Sequence, residues 1–181
     1  MGHKSPRFKK VPHLGLTGSL ASGKSTTLKF FKKQGWKILS ADEIVAEIYK
    51  EKGFTKEKLR KDFEGSPAKL KKFEKWIHPQ VGNRIKVWMK KQKAPMIVEV
   101  PLLFEAKFDR YFDKTVFVYA PKKDREKRVM KRGMSRKLFL FLDAKQMSPA
   151  DKAVRSDFIL HNFSKKSLEL QVKQLSKFLT H

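Results

Sequence analysis

The chain has 181 residues, enough for one domain with a full hydrophobic core. It has no cysteine, which excludes disulfides and thiolate metal sites, and no apolar run near the ~20 residues of a membrane-spanning helix. Lys and Arg number 43 against 18 Asp and Glu, a net charge of +25 that attracts polyanions, either nucleic acid or a highly phosphorylated small molecule. The basic residues are spread along the whole chain, however, as on a solvated surface, and no RNA-stacking or helix-turn-helix signature accompanies them. Nucleic acid is therefore open as a partner but not predicted, and the expected partners are small molecules.

Residues 1–11 read as a short disordered basic arm. They are followed by no apolar stretch, so they are not a secretory signal, and the protein is expected to be cytoplasmic and monomeric. "HLGLTG" (13–18) reads as a strand ending in a glycine turn. "KSTTLKFFKKQG" reads as a helix closed by Gly35, and "WKILS" as a second strand. "ADEIVAEIYKEK" is amphipathic, with Ile44, Val45, Ile48 and Tyr49 on one side. "TKEKLRKDF" is a helix stopped by Gly65-Ser66-Pro67. Two more helices, "PAKLKKFEKWI" and "PQVGNRIKVWMKKQK", are expected to meet at His78-Pro79.

"PMIVEVPLLF" is the most apolar run. Its Pro101 cannot donate to a central ladder, so it ends the strand. "KTVFVYA" is a strand, "KKDREKRVMKRG" and "SRKLFLFLDAKQM" are helices, "DFILHN" is a last strand and "SKKSLELQVKQLSKFL" a last helix. Strands alternating with helices predict an α/β fold, a three-layer sandwich of the P-loop NTPase type around a five-stranded parallel sheet. Residues 12–181 are expected to form a single domain, with a helical acceptor-binding region at 53–93 and a helical lid at 122–155.

The stretch Gly18-Ser19-Leu20-Ala21-Ser22-Gly23-Lys24-Ser25 fits G-x-x-x-x-G-K-[ST], with a strand before it and a helix after it. Glycines allow the backbone to curl its amides into an anion nest, and the following helix points its positive end at the same spot. Lys24 then reaches the outer phosphates and the Ser25 hydroxyl is a ligand for Mg²⁺. The loop predicts a nucleoside triphosphate but not what accepts its γ-phosphate.

The chain is short, has no N-K-x-D guanine-reading motif and has no apolar strand ending in Asp-Glu. These features favour a small kinase over a GTPase or a motor. Asp42, just after the second strand, can take the proton of an attacking hydroxyl or help place Mg²⁺. It is equally suited to the positive end of a helix. The arginines and lysines between 125 and 136 suit a lid that closes over phosphates, or simply a solvated face. Arg128 and Arg132, four apart, share one helix face.

The motifs "GLTGSLASGKST", "ADEIVAEIY", "HPQV", "VPLLFE" and the order "Q…K…SDFILHN" together resemble the dephospho-CoA kinase family, from Leu14 to the final helix. The resemblance implies transfer of the ATP γ-phosphate to the ribose 3′-hydroxyl of dephospho-CoA, giving coenzyme A, with ATP and Mg²⁺ as cofactors. It implies Asp42 as general base and Lys24 and Arg132 as further catalytic groups. ATP would be bound by Gly18, Ser19, Leu20, Ala21, Ser22, Gly23, Lys24, Ser25 and Thr26, with Arg128 and Asn162. The acceptor would be bound by Asp42, His78, Pro101, Leu102 and Phe104, and Mg²⁺ by Ser25.

Blander readings stand beside these. His78 can shape a helix start, Pro101–Phe104 can be core, and Glu99 is either an acid near Mg²⁺ or an ordinary strand residue. Glu105 is as readily a surface carboxylate as a functional one. The chain also departs from the family's pattern at Ser40, at Glu99 and at Thr55-Lys56, and it looks shorter, by about twenty residues, between "EIYKEKGF" and "HPQV". Another small-molecule or nucleotide kinase of the same fold, or a nucleic-acid-binding P-loop protein with little turnover, are the alternatives.

Overall fold

The computed structural model describes residues 11–63 and 66–180. The arm expected over 1–11 therefore lies outside the described residues except for Val11, which packs against the core. Five strands, β1 (His13–Thr17), β2 (Lys37–Ser40), β3 (Met96–Glu99), β4 (Lys114–Tyr119) and β5 (Phe158–His161), pair in parallel in the order β2-β3-β1-β4-β5. Parallel strands need crossovers that cover the faces of the sheet, and helices do so on both sides.

One face carries α1 (Lys24–Lys33) and α8 (Lys165–Thr180). Phe30, Phe31, Leu168 and Val172 close here over Leu14, Leu16, Ile97, Val116 and Val118. The other face carries α2 (Ala41–Glu51) and α4 (Pro67–Lys90), whose Ile44, Ile48, Val81 and Ile85 meet Met96 and Val98. Ile97 faces one layer while Met96 and Val98 face the other, so β3 is apolar on both sides, as a buried central strand must be. At the edge of the sheet, the Asp157 carboxylate accepts from the Thr115 amide (2.8 Å) and from Lys114 (2.8 Å), which sets the start of β5 on β4.

Two expectations change. The helices expected on either side of His78-Pro79 are one continuous helix, α4, with Pro79 inside it. Proline removes one amide donor and normally breaks a helix. Here Pro79 lies on the exposed side, where water can serve the carbonyl left over, and Gln80 Nε2 donates to the carbonyl of Trp76 at 3.2 Å. On the opposite side Ile77, Val81, Ile85 and Met89 are buried in a single stripe across the proline, and that packing outweighs the lost bond.

The second change is an extra helix, α7 (Pro149–Arg155), between α6 (Arg136–Ala144) and β5; α5 (Lys122–Met130) and α3 (Lys56–Phe63) fall where expected. Ser148 caps α7: its hydroxyl accepts from the Asp151 amide (3.1 Å) and donates to the Asp151 carboxylate (2.7 Å), with Pro149 at the first turn.

Pro79 bends a rule for packing reasons, so its removal has a defined outcome. Pro79→Ala restores one helical hydrogen bond and is expected to raise unfolding stability by about 1–2 kcal/mol, read as a higher urea midpoint at unchanged slope. An unchanged or lower midpoint would mean that the proline relieves strain in α4.

Candidate active site

The strand ends converge on the loop between β1 and α1. Gly23 has φ +110°, and a Cβ there would lie 2.1 Å from Asn162 Nδ2, so both the backbone and the space demand glycine. A Cβ on Gly18 would lie 2.4 Å from Ser22 Oγ. Ala21 is also left-handed, at φ 60°, a conformation that costs a non-glycine residue about 1–2 kcal/mol and needs support from outside the loop.

That support comes from the outward-facing carbonyls. Arg128 Nη1 donates to the carbonyls of Ala21 and Ser22, both at 3.2 Å, and its Nη2 donates to that of Asn162 at 3.2 Å. Asn162 Nδ2 donates to the Ser22 carbonyl at 2.7 Å. Arg125 Nη1 donates to the Leu20 carbonyl at 3.3 Å, and Gln146 Oε1 accepts from the Leu20 amide at 3.0 Å. With these carbonyls engaged behind the loop, the first amides of α1, which have no partner within their helix, are left to face an anion.

Lys24 Nζ curls over its own loop to the carbonyls of Gly18 (3.0 Å) and Ser19 (3.3 Å). Burial pushes its pKa down, as do Lys152 and Arg125, against the pull of Glu99 and Asp42. Glu99, at the end of β3 and 7% exposed, is pushed up chiefly by burial. Lys24 opposes that shift and the nearby Asp42 and Glu43 add to it. Asp42 is exposed in the first turn of α2.

One cavity of about 680 Å³ joins these groups: Lys24, Asp42 and Glu99 line it together with Leu20, His78, Pro101 and Leu102. Its far wall is apolar, made by Tyr49, Phe73, Leu59 and Ile77. Tyr49 and Phe73 of that wall meet Phe54 and Trp76 edge-on or tilted, with ring centroids 5.4–6.3 Å apart. His78 lines the cavity with its ring against Phe108, 5.8 Å between centroids.

The residues singled out from the sequence thus divide. Lys24, Asp42, Leu20, His78, Pro101 and Leu102 share the cavity. Gly18–Thr26 form the loop and the first turn of α1. Arg128 and Asn162 stand behind the loop, on its carbonyls. Phe104 is 6% exposed within the core on the α2–α4 side and is not among the cavity's lining residues. Arg132 is exposed, and its side chain has no polar partner among the described residues.

Several site residues were not singled out. Lys152 is fully buried; its ammonium reaches the Pro101 carbonyl at 3.0 Å and the Glu105 carboxylate at 3.1 Å. Thr17 Oγ1 donates to the same carbonyl at 3.1 Å, so the turn after β3 is fastened from two sides. Glu105 also accepts from the Met147 amide at 2.9 Å and is no idle surface acid. Lys152 stood in plain view in the "Q…K…" order, but nothing local marks a lysine for burial. Arg125, Gln146 and the aromatic wall were equally hard to see, because each is defined by partners far along the chain.

For a divalent ion the donors are sparse. Among the described residues no group of three or more His, Cys, Asp or Glu could hold a metal. The Ser25 hydroxyl in the first turn of α1 is exposed. One hydroxyl beside an anion nest suits Mg²⁺, which keeps most of its waters and relies on phosphate oxygens.

Glu99 supplies a pH test. Its pKa is raised on folding, so above the ordinary glutamate value of about 4.3 the folded state binds more protons than the unfolded one. Ionisation of Glu99 therefore costs stability as pH rises. Glu99→Gln removes that cost: it is expected to melt higher than the parent at pH 7–8, with the gain vanishing towards pH 4. A gain that is the same at both pH values would contradict this.

The chain's likenesses agree with this geometry. A family model described as dephospho-CoA kinase matches residues 13–67 and 53–167. The dephospho-CoA kinase of Bartonella quintana is 35% identical over 170 residues, covering 82% of this chain and 87% of the relative. That of Thermus thermophilus is 30% identical over 201 aligned positions, covering 99% of this chain and 96% of the relative, which therefore holds residues this shorter chain lacks. A solved structure from Thermus thermophilus superposes with a TM-score of 0.85 at 29% identity, covering 96% of this chain and 100% of that one. With the phosphate loop, the cavity and its carboxylates in these positions, the chain belongs to the dephospho-CoA kinase family.

Proposed function

We propose that the chain phosphorylates the ribose 3′-hydroxyl of dephospho-CoA with the γ-phosphate of ATP, by in-line transfer in the cavity between the phosphate loop and the aromatic wall. The observation that carries this reading is that one cavity holds both ends of the site. It has the half-buried Lys24 and two carboxylates, Asp42 and Glu99, at its loop end, and an apolar wall at the other. Such a reaction asks little covalent work of a protein, and positioning and charge stabilisation supply most of the rate.

Each residue then has a task. The amides of Gly23–Ser25 hold the β-phosphate. Lys24 exchanges the carbonyls of Gly18 and Ser19 for phosphate oxygens, so its charge moves from its own loop onto the substrate. Asp42 accepts the hydroxyl proton. It stands exposed in the first turn of α2, where an incoming hydroxyl can reach it, whereas Glu99 is buried at the end of β3 with its pKa raised, and orients rather than accepts. His78, Pro101 and Leu102 bound the acceptor. Arg128 and Asn162 serve ATP by holding the loop from behind, and Arg132 reaches the phosphates when the segment 122–155 closes as a lid. Mg²⁺, held by Ser25 together with the phosphates, would neutralise charge on the transferring group.

A coupled ATP-consumption assay tests the reading: turnover with dephospho-CoA is expected to exceed that with any of a panel of nucleosides and nucleotides. Preference for a panel member would move the assignment to another acceptor. Retention on nucleic acid with no turnover on any of them would end the kinase reading. Lys24→Ala should lower kcat/KM by at least ~10³ and weaken ATP binding. Asp42→Asn should leave ATP binding intact while kcat falls by about 10²–10⁴. Near-parental turnover of Asp42→Asn would remove that residue from the base role.

A further inference from the structure

We propose that Arg125 is a positioning residue for nucleotide binding, and that its ion pair with Asp143 exists to hold the Leu20 peptide in the anion-binding shape of the loop. Arg125 lies on α5 and is 2% exposed. Every donor of its guanidinium that the fold uses is engaged: Nε to the Ala120 carbonyl (3.2 Å), Nη1 to the Leu20 carbonyl (3.3 Å) and to Asp143 Oδ1 (2.5 Å), and Nη2 to Asp143 Oδ2 (3.3 Å). The ring of Phe139 lies 5.6 Å from its carbon centre. One side chain thus joins the end of β4, the phosphate loop and α6.

A buried arginine with a bidentate carboxylate needs no further partner for its charge. The bond to Leu20 is therefore an added use of an already neutralised group. Residue 20 is held at both of its polar atoms, its carbonyl by Arg125 and its amide by Gln146, and the next residue is the left-handed Ala21. Release of the Leu20 carbonyl would let Ala21 relax to an ordinary φ and turn loop amides away from the phosphate site. Asp143 acts one step further out: it fixes the guanidinium plane from which the Leu20 bond is made. Gln146 and Asp143 both come from the α6 end of the lid region, so the lid's root and the loop are one unit before any ligand arrives.

This rests on the proposal that the loop binds a nucleotide, and calorimetric titration with ADP separates the two. Arg125→Gln is expected to weaken ADP about tenfold, the equivalent of one charged hydrogen bond. KM for ATP should rise to match, with kcat within about threefold of the parent. Because a half-broken buried pair also destabilises the fold, the decisive variant is Arg125→Met combined with Asp143→Leu. Apolar replacement of a whole buried pair generally restores stability. That variant should melt close to the parent and still bind ADP about tenfold more weakly.

Trp36→Phe serves as a control. It leaves the buried Ser176 hydroxyl without its 2.7 Å partner, far from the loop, and should melt lower with ADP affinity unchanged. Parental ADP affinity in the double variant would overturn the positioning role and leave the pair a structural feature alone. Failure of the parent itself to bind ADP would overturn the nucleotide reading, and this inference with it.

Discussion

An anion nest can aim amides inward only if the carbonyls of the same turn are satisfied outside it. In this chain that condition is met by two arginines from α5. Arg128 takes the carbonyls of Ala21 and Ser22, Arg125 takes that of Leu20, and Asn162 shares Ser22 from the end of β5. The glycine at Gly23 and the left-handed Ala21 make the turn possible, and the arginines make it persist. Arg125 does this with its charge already paired to Asp143, whereas Arg128 turns a positive charge without a carboxylate partner among the described residues towards the back of the loop.

The rest of the molecule delivers those groups to one edge of the sheet. All five strands run parallel, so their C-terminal ends meet at one edge. Thr17, Ser40, Glu99, Tyr119 and His161 close the strands there, and the chemistry follows directly in chain order: Gly18 after β1, Asp42 after β2, Pro101 after β3, Asn162 after β5. Lys152 and Thr17 both hold the Pro101 carbonyl, which ties that wall of the cavity to α7 and β1. The apolar end of the cavity is built from few residues. Its rings on α2, α4 and the turn at Phe54 pack edge-on or tilted against one another, and an aromatic cluster is an economical way to make a rigid apolar wall from a short segment.

Much of this was legible in the residues. The strand–loop–helix at 13–33, the two-sided apolar β3 and the Asp42 position follow from local pattern alone. The five strands and their parallel pairing follow from the alternation of elements. What the pattern hid was of two kinds. Pro79 was read as a break because the local cost of proline is visible in sequence, whereas the stripe Ile77–Val81–Ile85–Met89 that overrides it takes effect only when packed on a sheet. The burial of Arg125 and Lys152 was hidden among 43 basic residues because it is decided by partners 18 to 105 positions away. The cap at Ser148 was different: Ser-Pro-x-Asp states a helix start locally, and α7 could have been found from it.

The same contrast shows in the arginines. The resemblance puts Arg128 among the ATP-binding residues, a place that a direct phosphate contact would fill, while in the fold it grips the loop from the far side. The two roles diverge in a crystal structure of the complex with ADP. The β-phosphate is expected within hydrogen-bond distance of the amides of Gly23–Ser25 and of Lys24 Nζ, with Arg125 and Arg128 still on the carbonyls of Leu20, Ala21 and Ser22. A phosphate bound away from those amides, or arginines drawn off the carbonyls and onto the phosphates, would contradict it.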